Sequence, residues 1–170
     1  MKSLLMFAAI SIITLTSHAQ DDKSKRPSPP ATATGATASG TAITINYSRP
    51  SLKGRTIGKD VEPMDGKVWR TGANEATVFE VSKDVKVEGK SLPAGKYGLY
   101  SIAKGQNWTI IFNKTWNQWG TNYTEADDAL RVNVTAGKSA KVAEKFTITV
   151  SKDGKVDLLW GDKDVTFKVE

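Results

Sequence analysis

From Gly40 onward the sequence alternates between apolar and polar residues with a period of two. In residues 43–48 the odd positions are apolar and the even positions are threonine, asparagine or serine, and a similar alternation recurs in residues 146–151 and 165–169. This period is typical of β-strands that bury one face. Further strands are predicted at residues 76–82, 96–103, 108–113, 130–135 and 155–160.

Turn-forming residues separate these runs. Asp153-Gly154 lies between two alternating segments and is a strong hairpin signal. Other reversals are predicted at Glu88-Gly89, Gly161-Asp162 and Pro93-Ala94-Gly95. The best helix candidate is residues 124–130, where Thr124 could cap about two turns.

Eight or nine short strands without crossover helices predict an all-β fold. Antiparallel strands of this kind bury their apolar faces by packing two sheets together as a β-sandwich. The strand order is left open between a jelly roll and an immunoglobulin-like arrangement, and the cysteines of antibody domains are missing.

The N-terminus predicts an export signal. Lys2 precedes an apolar run over residues 4–15, and Ser17-His18-Ala19 resembles a small-residue cleavage site. We expect residues 1–19 to be a signal peptide that is cleaved after Ala19. The apolar run is shorter than the roughly 20 residues of a membrane-spanning helix, so no membrane anchor is predicted and the protein is expected in the periplasm or outside the cell.

Residues 20–40 are rich in proline, alanine, threonine, serine and glycine and are predicted to be flexible. An alternative is a weak edge strand at Ala31–Thr34, where alanine and threonine alternate. Residues 41–170 are predicted to form a single β-sandwich domain.

The chain has no cysteine, and its one histidine, His18, lies in the predicted signal. This composition excludes cysteine nucleophiles, serine–histidine pairs, disulfides and most transition-metal sites from the mature protein. No cofactor and no metal site are predicted, and a calcium site at Asp127 and Asp128 is disfavoured because no D-x-D-x-D-G loop is present. The net charge of +6 is dispersed along the chain, so nucleic acid is not a predicted partner.

Three loops interrupt the alternation, at residues 47–55, 69–75 and 113–123. They are rich in arginine, tryptophan and amide side chains, and binding residues concentrate on loops that a rigid scaffold holds. The candidate ligand-binding residues are Arg49, Lys53, Arg55, Trp69, Arg70, Asn74, Glu75, Asn117, Gln118 and Trp119.

Several separated motifs occur in order along the chain. They are Y-S-R-P-S-x-K-G-R at 47–55, W-R-T-G-A-N-E-A-T at 69–77, L-P-A-G-K-Y-G-L-Y at 92–100, W-T-I-I-F-N-K at 108–114 and N-Q-W-G at 117–120. With these motifs the chain resembles a family of exported bacterial proteins known only as a domain of unknown function. The resemblance implies export and a compact β-rich domain, and it implies no activity.

Two binding hypotheses follow from the loops. Arg49, Arg55, Arg70 and Glu75 could form a receptor for an anion or carboxylate, because guanidinium groups bind such groups bidentately. The alternative is an internal network in which Arg70 pairs with Glu75 or with a loop carbonyl.

The tryptophan-rich loop offers a second hypothesis. Trp116, Trp119 and Tyr123 could stack on sugar faces while Asn117 and Gln118 bond hydroxyl groups. The alternative is that the tryptophans plug one end of the sandwich.

Catalysis without histidine would have to use carboxylates. Glu75 is a weak candidate, with Asp127 and Asp128, and a glycosidase needs two carboxyl groups about 5–9.5 Å apart. We therefore expect a non-catalytic module that binds a carbohydrate or a small anion. The alternatives are a carboxylate-dependent carbohydrate hydrolase and a scaffold that binds another protein, and the oligomeric state is not predicted.

Overall fold

The computed structural model describes residues 22–170. The predicted signal peptide and its cleavage site lie outside these residues. In the described part of the chain, no helix has the length and apolar character needed to cross a membrane.

One layer of the fold is a seven-stranded antiparallel sheet. Its strands are β1 (Pro30–Ala36), β2 (Ala42–Ser48), β3 (Val68–Trp69), β4 (Thr77–Val81), β7 (Gly95–Lys104), β8 (Asn107–Asn113) and β9 (Asp128–Thr135). They are ordered β1-β2-β4-β7-β8-β9, and β3 pairs with β7. The period-two pattern places alternate side chains of each strand on the inner face of this sheet.

The second layer consists of two hairpins. The long one joins β10 (Gly137–Val150) to β11 (Lys155–Lys168), and the short one joins β5 (Val85–Val87) to β6 (Lys90–Leu92). A bridge between Val87 and Val169 connects the two hairpins. The predicted turns at Asp153-Gly154 and Glu88-Gly89 are confirmed by these hairpins.

Aromatic side chains fill the space between the layers. The ring centroids of Phe79 and Phe112 in the sheet are 4.9 Å apart, and the two rings pack edge to face. Both rings also contact the ring of Phe167 in β11. The ring of Phe146 in β10 is fully buried, and its centroid lies 5.0 Å from that of the Trp69 ring. The predicted all-β sandwich is therefore confirmed, with the core between the large sheet and the β10–β11 hairpin.

Residues 30–36 form an edge strand and are not a flexible segment. All seven residues of β1 pair with β2, from Pro30 opposite Ser48 to Ala36 opposite Ala42. Ala33 packs into the core, so small side chains suffice to bury one face of an edge strand. The edge strand at Ala31–Thr34, named as an alternative, is what the structure contains.

The helix predicted at residues 124–130 is wrong. Only one 3-10 turn forms, at Glu125–Asp127, and the side chain of Thr124 makes no capping hydrogen bond. The backbone N–H of Lys114 donates to the carbonyl oxygen of Asp127 at 2.8 Å, and Asp128 pairs with Asn113 in the sheet. Pairing with β8 therefore replaces the helix from Asp128 onward.

The reversal predicted at Gly161-Asp162 is also wrong. Strand β11 continues through these residues, and Gly161 pairs with Ala143 between two shifts of register. Gly161 has a φ of +59°, which glycine tolerates better than any other residue. Gly161 therefore lies in a β-bulge inside a long strand, whereas the sequence predicted a turn at this position.

Candidate ligand-binding cleft

Two of the three polar loops are joined directly to each other. Glu75 and Trp119 form an antiparallel bridge. On either side of it, the N–H of Ala76 donates to the carbonyl of Gln118 and the N–H of Gly120 donates to the carbonyl of Asn74, each at 3.1 Å. The motifs at 69–77 and 117–120 therefore form one continuous surface.

Arg70 lies where these loops meet. The preceding residue, Trp69, is 2% exposed and packs into the core, so Arg70 leaves the strand on the opposite side. The stem of Arg70 passes close to Gly120, where an added Cβ would lie 2.0 Å from Cδ of Arg70. Glycine at 120 is thus the residue that leaves room for this side chain.

The guanidinium of Arg70 has no hydrogen bond or ion pair with any residue between 22 and 170. Its Nε is buried and has no partner among them. Leaving a buried donor without an acceptor costs about 1–3 kcal/mol, and more for a charged group. The fold therefore holds the charged guanidinium of Arg70 in place without using its hydrogen-bonding capacity.

Arg70 lines two adjoining cavities that also share Glu62 and Trp69, and we call them together the Arg70 cleft. The larger has a volume of about 370 Å³, and its lining includes Arg55 and Trp160. The smaller, of about 230 Å³, includes Val68, Thr121 and Tyr123 in its wall. The cleft thus joins the loop at 47–55 to the other two polar loops.

The other charged groups of the larger cavity are bonded to nearby backbone. Arg55 donates from Nε to the carbonyl of Leu52 at 3.0 Å and from Nη2 to that of Ser51 at 2.7 Å. Oε2 of Glu62 accepts from the N–H of Met64 at 2.7 Å, and Oδ2 of Asp60 accepts from the N–H of Thr56 at 2.9 Å. These bonds fix the positions of the two carboxylates near the cleft.

Glu75 lies outside the Arg70 cleft. Its carboxylate forms ion pairs with Lys23 at 2.9 Å and Arg26 at 3.0 Å, in a depression on the outer face of the sheet. Burial raises its pKa, but hydrogen bonds from Lys23, its own backbone N–H and Arg26 outweigh burial and lower the pKa to about 2. The predicted network between Arg70 and Glu75 is therefore wrong, since Glu75 pairs with the segment before β1.

Three other candidates have structural contacts. Arg49 donates from Nε to the carbonyl of Phe146 at 3.1 Å and from Nη2 to Oγ1 of Thr147 at 2.8 Å, which ties its loop to β10. Nδ2 of Asn74 donates to the carbonyl of Ser28 at 3.0 Å. Trp69 donates from Nε1 to the carbonyl of Gly72 at 3.0 Å, so its indole N–H is not free for a ligand in the cleft.

Lys53 is exposed on a turn where its own φ is +49°. It is not part of the Arg70 cleft walls. The structure thus brings Arg55, Trp69 and Arg70 together in one cleft and places Arg49, Lys53 and Glu75 elsewhere.

The loop at 113–123 presents tryptophan to solvent. Trp119 is 49% exposed and Trp116 is 36% exposed, and Asn117 between them is exposed as well. Nζ of Lys96 lies 5.3 Å from the Trp116 ring centroid. These tryptophans do not plug the end of the sandwich. Gln118 is instead used inside the loop, where Nε2 donates to the hydroxyl of Tyr100 at 3.1 Å.

A partly buried polar network holds this loop on the sheet. Asp128 accepts hydrogen bonds from Nδ2 of Asn113, the hydroxyl of Tyr123 and Nε of Arg131, at 2.7–2.8 Å. Asp127 accepts from the hydroxyl of Thr115 at 2.9 Å. Residues 22–170 include no group of three histidine, cysteine or acidic side chains that could hold a metal ion.

Sequence reasoning missed Glu62, Met64 and Trp160 as cleft residues. Glu62 and Met64 lie in a stretch that has no apolar period, and Trp160 was assigned to a strand core. The hydrogen bond from Nε1 of Trp160 to the carbonyl of Glu62, at 2.8 Å, joins residues 98 positions apart, and no local pattern reports such a contact.

Residues 28–169 match the family described as protein of unknown function (DUF2911). The chain belongs to this family. The resemblance to a domain of unknown function is thereby confirmed, and the DUF2911 match includes every strand and all residues of the Arg70 cleft. Lys23 and Arg26, the partners of Glu75, precede the DUF2911 match. No curated protein and no solved structure matches the chain.

Proposed function

We propose that this protein is an exported, non-catalytic binding module that takes a small carboxylate anion in the Arg70 cleft. The observation that carries the proposal is the guanidinium of Arg70, which lines both cavities and has no partner among the described residues. Export is proposed from the N-terminal signal pattern, and N-terminal sequencing of the exported product should begin at Gln20.

A carboxylate is the ligand that best suits such an arginine. Two parallel N–H groups of a guanidinium match the two oxygens of a carboxylate, and charge-assisted hydrogen bonds of this kind are stronger than neutral ones. Binding at the end of the guanidinium would also give this side chain an acceptor, which residues 22–170 do not provide. Lysine at this position would keep the charge and lose the planar fork.

Neither the composition of the chain nor the state of the catalytic candidate Glu75, which lies outside the cleft, supports catalysis. The described chain contains no imidazole or thiol. Glu75, the weak catalytic candidate, is held as a carboxylate by two cations, and its pKa of about 2 makes it a poor proton donor near neutral pH.

The test uses sodium propionate as the probe and sodium chloride at equal ionic strength as the reference. We expect propionate to shift the ¹⁵N resonance of Arg70 Nε and to raise the melting temperature. Arg70→Gln, which lacks this resonance, should abolish the rise in melting temperature. Lys53→Gln removes the same charge from an exposed turn and should bind propionate as the parent protein does. An Arg70 resonance that propionate leaves unmoved would contradict the proposal.

A second candidate function is carbohydrate binding by the exposed loop. Its support is the exposure of Trp116 and Trp119 with the amide of Asn117 between them, since indole faces stack on the apolar faces of sugars. Affinity electrophoresis in soluble polysaccharides, with cellohexaose as a competitor, would measure it. Trp119→Ala should remove any retardation, and the absence of retardation of the parent protein would reject this function.

A further inference from the structure

We infer that the ligand of the Arg70 cleft is a zwitterion, a small molecule with a protonated amine as well as a carboxylate. This inference rests on the proposed function, because it assigns the carboxylate to Arg70. It adds a second recognition group, Glu62, which receives the amine.

Glu62 is placed with Arg70 but is not neutralised by it. Both residues line both cavities, and no ion pair within 4.0 Å joins them or joins Glu62 to any other cation among residues 22–170. One carboxylate oxygen of Glu62, Oε2, accepts from the N–H of Met64. The other oxygen, Oε1, has no hydrogen-bond partner in the described chain. Two residues of opposite charge therefore line the same space, each with unused hydrogen-bonding capacity.

The balance of charge excludes strongly anionic ligands. The larger cavity is lined by two cations, Arg55 and Arg70, and two carboxylates, Asp60 and Glu62. Nε and Nη2 of Arg55 already donate hydrogen bonds to backbone carbonyls. A phosphate or sulfate dianion would gain Arg70 and be repelled by both carboxylates. A zwitterion satisfies both signs at once and brings no net charge into the cleft.

The two tryptophans of the larger cavity have no free indole donor. The indole N–H groups of Trp69 and Trp160 are both committed, to the carbonyls of Gly72 and Glu62. Neither indole can therefore donate a hydrogen bond to a ligand in this cavity. The bond from Trp160 also fixes the backbone of Glu62. A volume of about 370 Å³ leaves room for an apolar substituent beside the charged ends.

Free amino acids and short peptides both carry these two charged groups. Alanine and propionate form a matched pair, because they differ only by the amine, and N-acetylalanine keeps the carboxylate and removes the positive charge. Dialanine places the two charges further apart than alanine does. Comparing these four probes on the parent protein tests the inference without any variant.

We expect alanine or dialanine to bind at least about tenfold more tightly than propionate, measured by the Arg70 Nε resonance at constant ionic strength. N-acetylalanine should not share this gain. Whichever of alanine and dialanine binds more tightly identifies the source as a free amino acid or a peptide.

Glu62→Gln should reduce the advantage of the amine to within about twofold. Because it also removes one of the two carboxylates that repel an anion, this variant should bind propionate at least as tightly as the parent protein does. Glu80→Gln, which removes a carboxylate paired with Lys96 on the same sheet at a distance from the cleft, is the matched control and should change neither affinity.

The outcomes separate the two proposals. Propionate binding without a gain for either amine-bearing probe would overturn the zwitterion inference and leave the carboxylate site standing. A gain that survives Glu62→Gln would also overturn it, because Glu62 would not be the partner of the amine. If none of the four probes moves the Arg70 resonance, the proposed function and this inference both fail.

Discussion

At the scale of single residues, the cleft depends on a close approach between one glycine and one arginine. Trp69 is held in the core, Gly120 is bonded to the carbonyl of Asn74, and the stem of Arg70 runs between them. A side chain at position 120 would occupy the volume that the stem now fills. The direction of the guanidinium is therefore set by packing and not by an ion pair.

We predict that Gly120→Ala will displace Arg70. The new Cβ would lie 2.0 Å from Cδ of Arg70 and 2.9 Å from the carbonyl oxygen of Asn74, so the loop or the side chain must move. Overpacking of this kind costs about 1–3 kcal/mol. Denaturant unfolding measures the loss, and propionate titration should show weakened binding. Unchanged stability together with unchanged binding would contradict the packing argument.

At the scale of elements, the loop at 113–123 is fixed by polar contacts beneath it. The hydroxyl of Tyr123 donates to Asp128 and accepts from Nη2 of Arg131, at 2.7 and 2.8 Å. Burial, then the hydrogen bond to Asp128, raises the pKa of Tyr123 to about 12, against the opposing effect of Arg131. The neutral phenol is thus the form that the fold stabilises.

Tyr123→Phe should lower the free energy of unfolding by about 1 kcal/mol near neutral pH, because it removes these hydrogen bonds. The folded pKa is above the unfolded value of 10.0, so the contribution of Tyr123 is complete below pH 10 and is lost as the pH rises toward 12. The difference between the two proteins should therefore shrink over this range. A difference that stays constant through pH 12 would contradict this assignment.

The long hairpin is the element that closes the core. Phe146 of β10 contacts the rings of Tyr47, Trp69 and Trp160, at centroid distances of 5.0–6.1 Å. Truncating a fully buried phenylalanine leaves a cavity that neighbouring rings cannot fill.

We predict that Phe146→Ala will destabilise the protein by about 3–5 kcal/mol, measured by denaturant unfolding. Val142→Ala offers a control on the same strand, because that side chain is 71% exposed. The control should change the stability by less than about 0.5 kcal/mol. A comparable loss in both variants would show that the hairpin is not packed as described.

At the scale of the whole molecule, the segment before β1 is held against the rest of the fold by charge and amide contacts. Lys23 and Arg26 pair with Glu75, and Asn74 bonds the carbonyl of Ser28. These contacts connect the start of the described chain to the loop that carries Arg70.

This attachment should be sensitive to acid. The folded pKa of Glu75 is about 2 and its ordinary value is 4.5, so its stabilising effect is complete above pH 4.5 and is lost as the pH falls toward 2. Glu75→Gln should therefore be less stable than the parent protein at neutral pH, and the difference should vanish in acid. Because the carboxylate is partly exposed, salt should weaken the effect.

An NMR titration of the Glu75 carboxyl group provides the direct measurement. Lys23→Gln should raise its pKa toward the ordinary value, since Lys23 supplies the largest lowering contribution. A parent protein in which Glu75 titrates near 4.5 would rule out the ion pairs described here.

The fold was largely predictable from the sequence, and the site only in part. The period-two pattern identified most strands because one buried face imposes that period wherever it occurs. It failed at Gly161, because a glycine in a bulge and a glycine in a turn have the same local sequence. It also failed at residues 124–130, where pairing with β8 overrides the short-range preference for a helix.

The site depends on contacts between distant residues. The loop motifs drew attention to Arg55 and Arg70, because their composition departs from the strand pattern, and the structure places both residues in one cleft. The identity of the partner of Glu75 could not be predicted, since Lys23 and Arg26 lie in a segment that had been interpreted as flexible. Glu62 was missed because its position in the cleft is set by a tryptophan nearly a hundred residues away.

The long hairpin of the second layer follows the large sheet in chain order, since every strand of that sheet ends before Gly137 and the β10–β11 hairpin begins there. During synthesis, the rings of Phe79 and Phe112 on the inner face of the sheet cannot be covered by the β10–β11 hairpin until that hairpin has been made. A nascent chain that stalls before this hairpin would expose the apolar inner face of the large sheet to the surrounding cell. Truncation products ending near residue 136 should accordingly aggregate or be degraded instead of accumulating as smaller folded units.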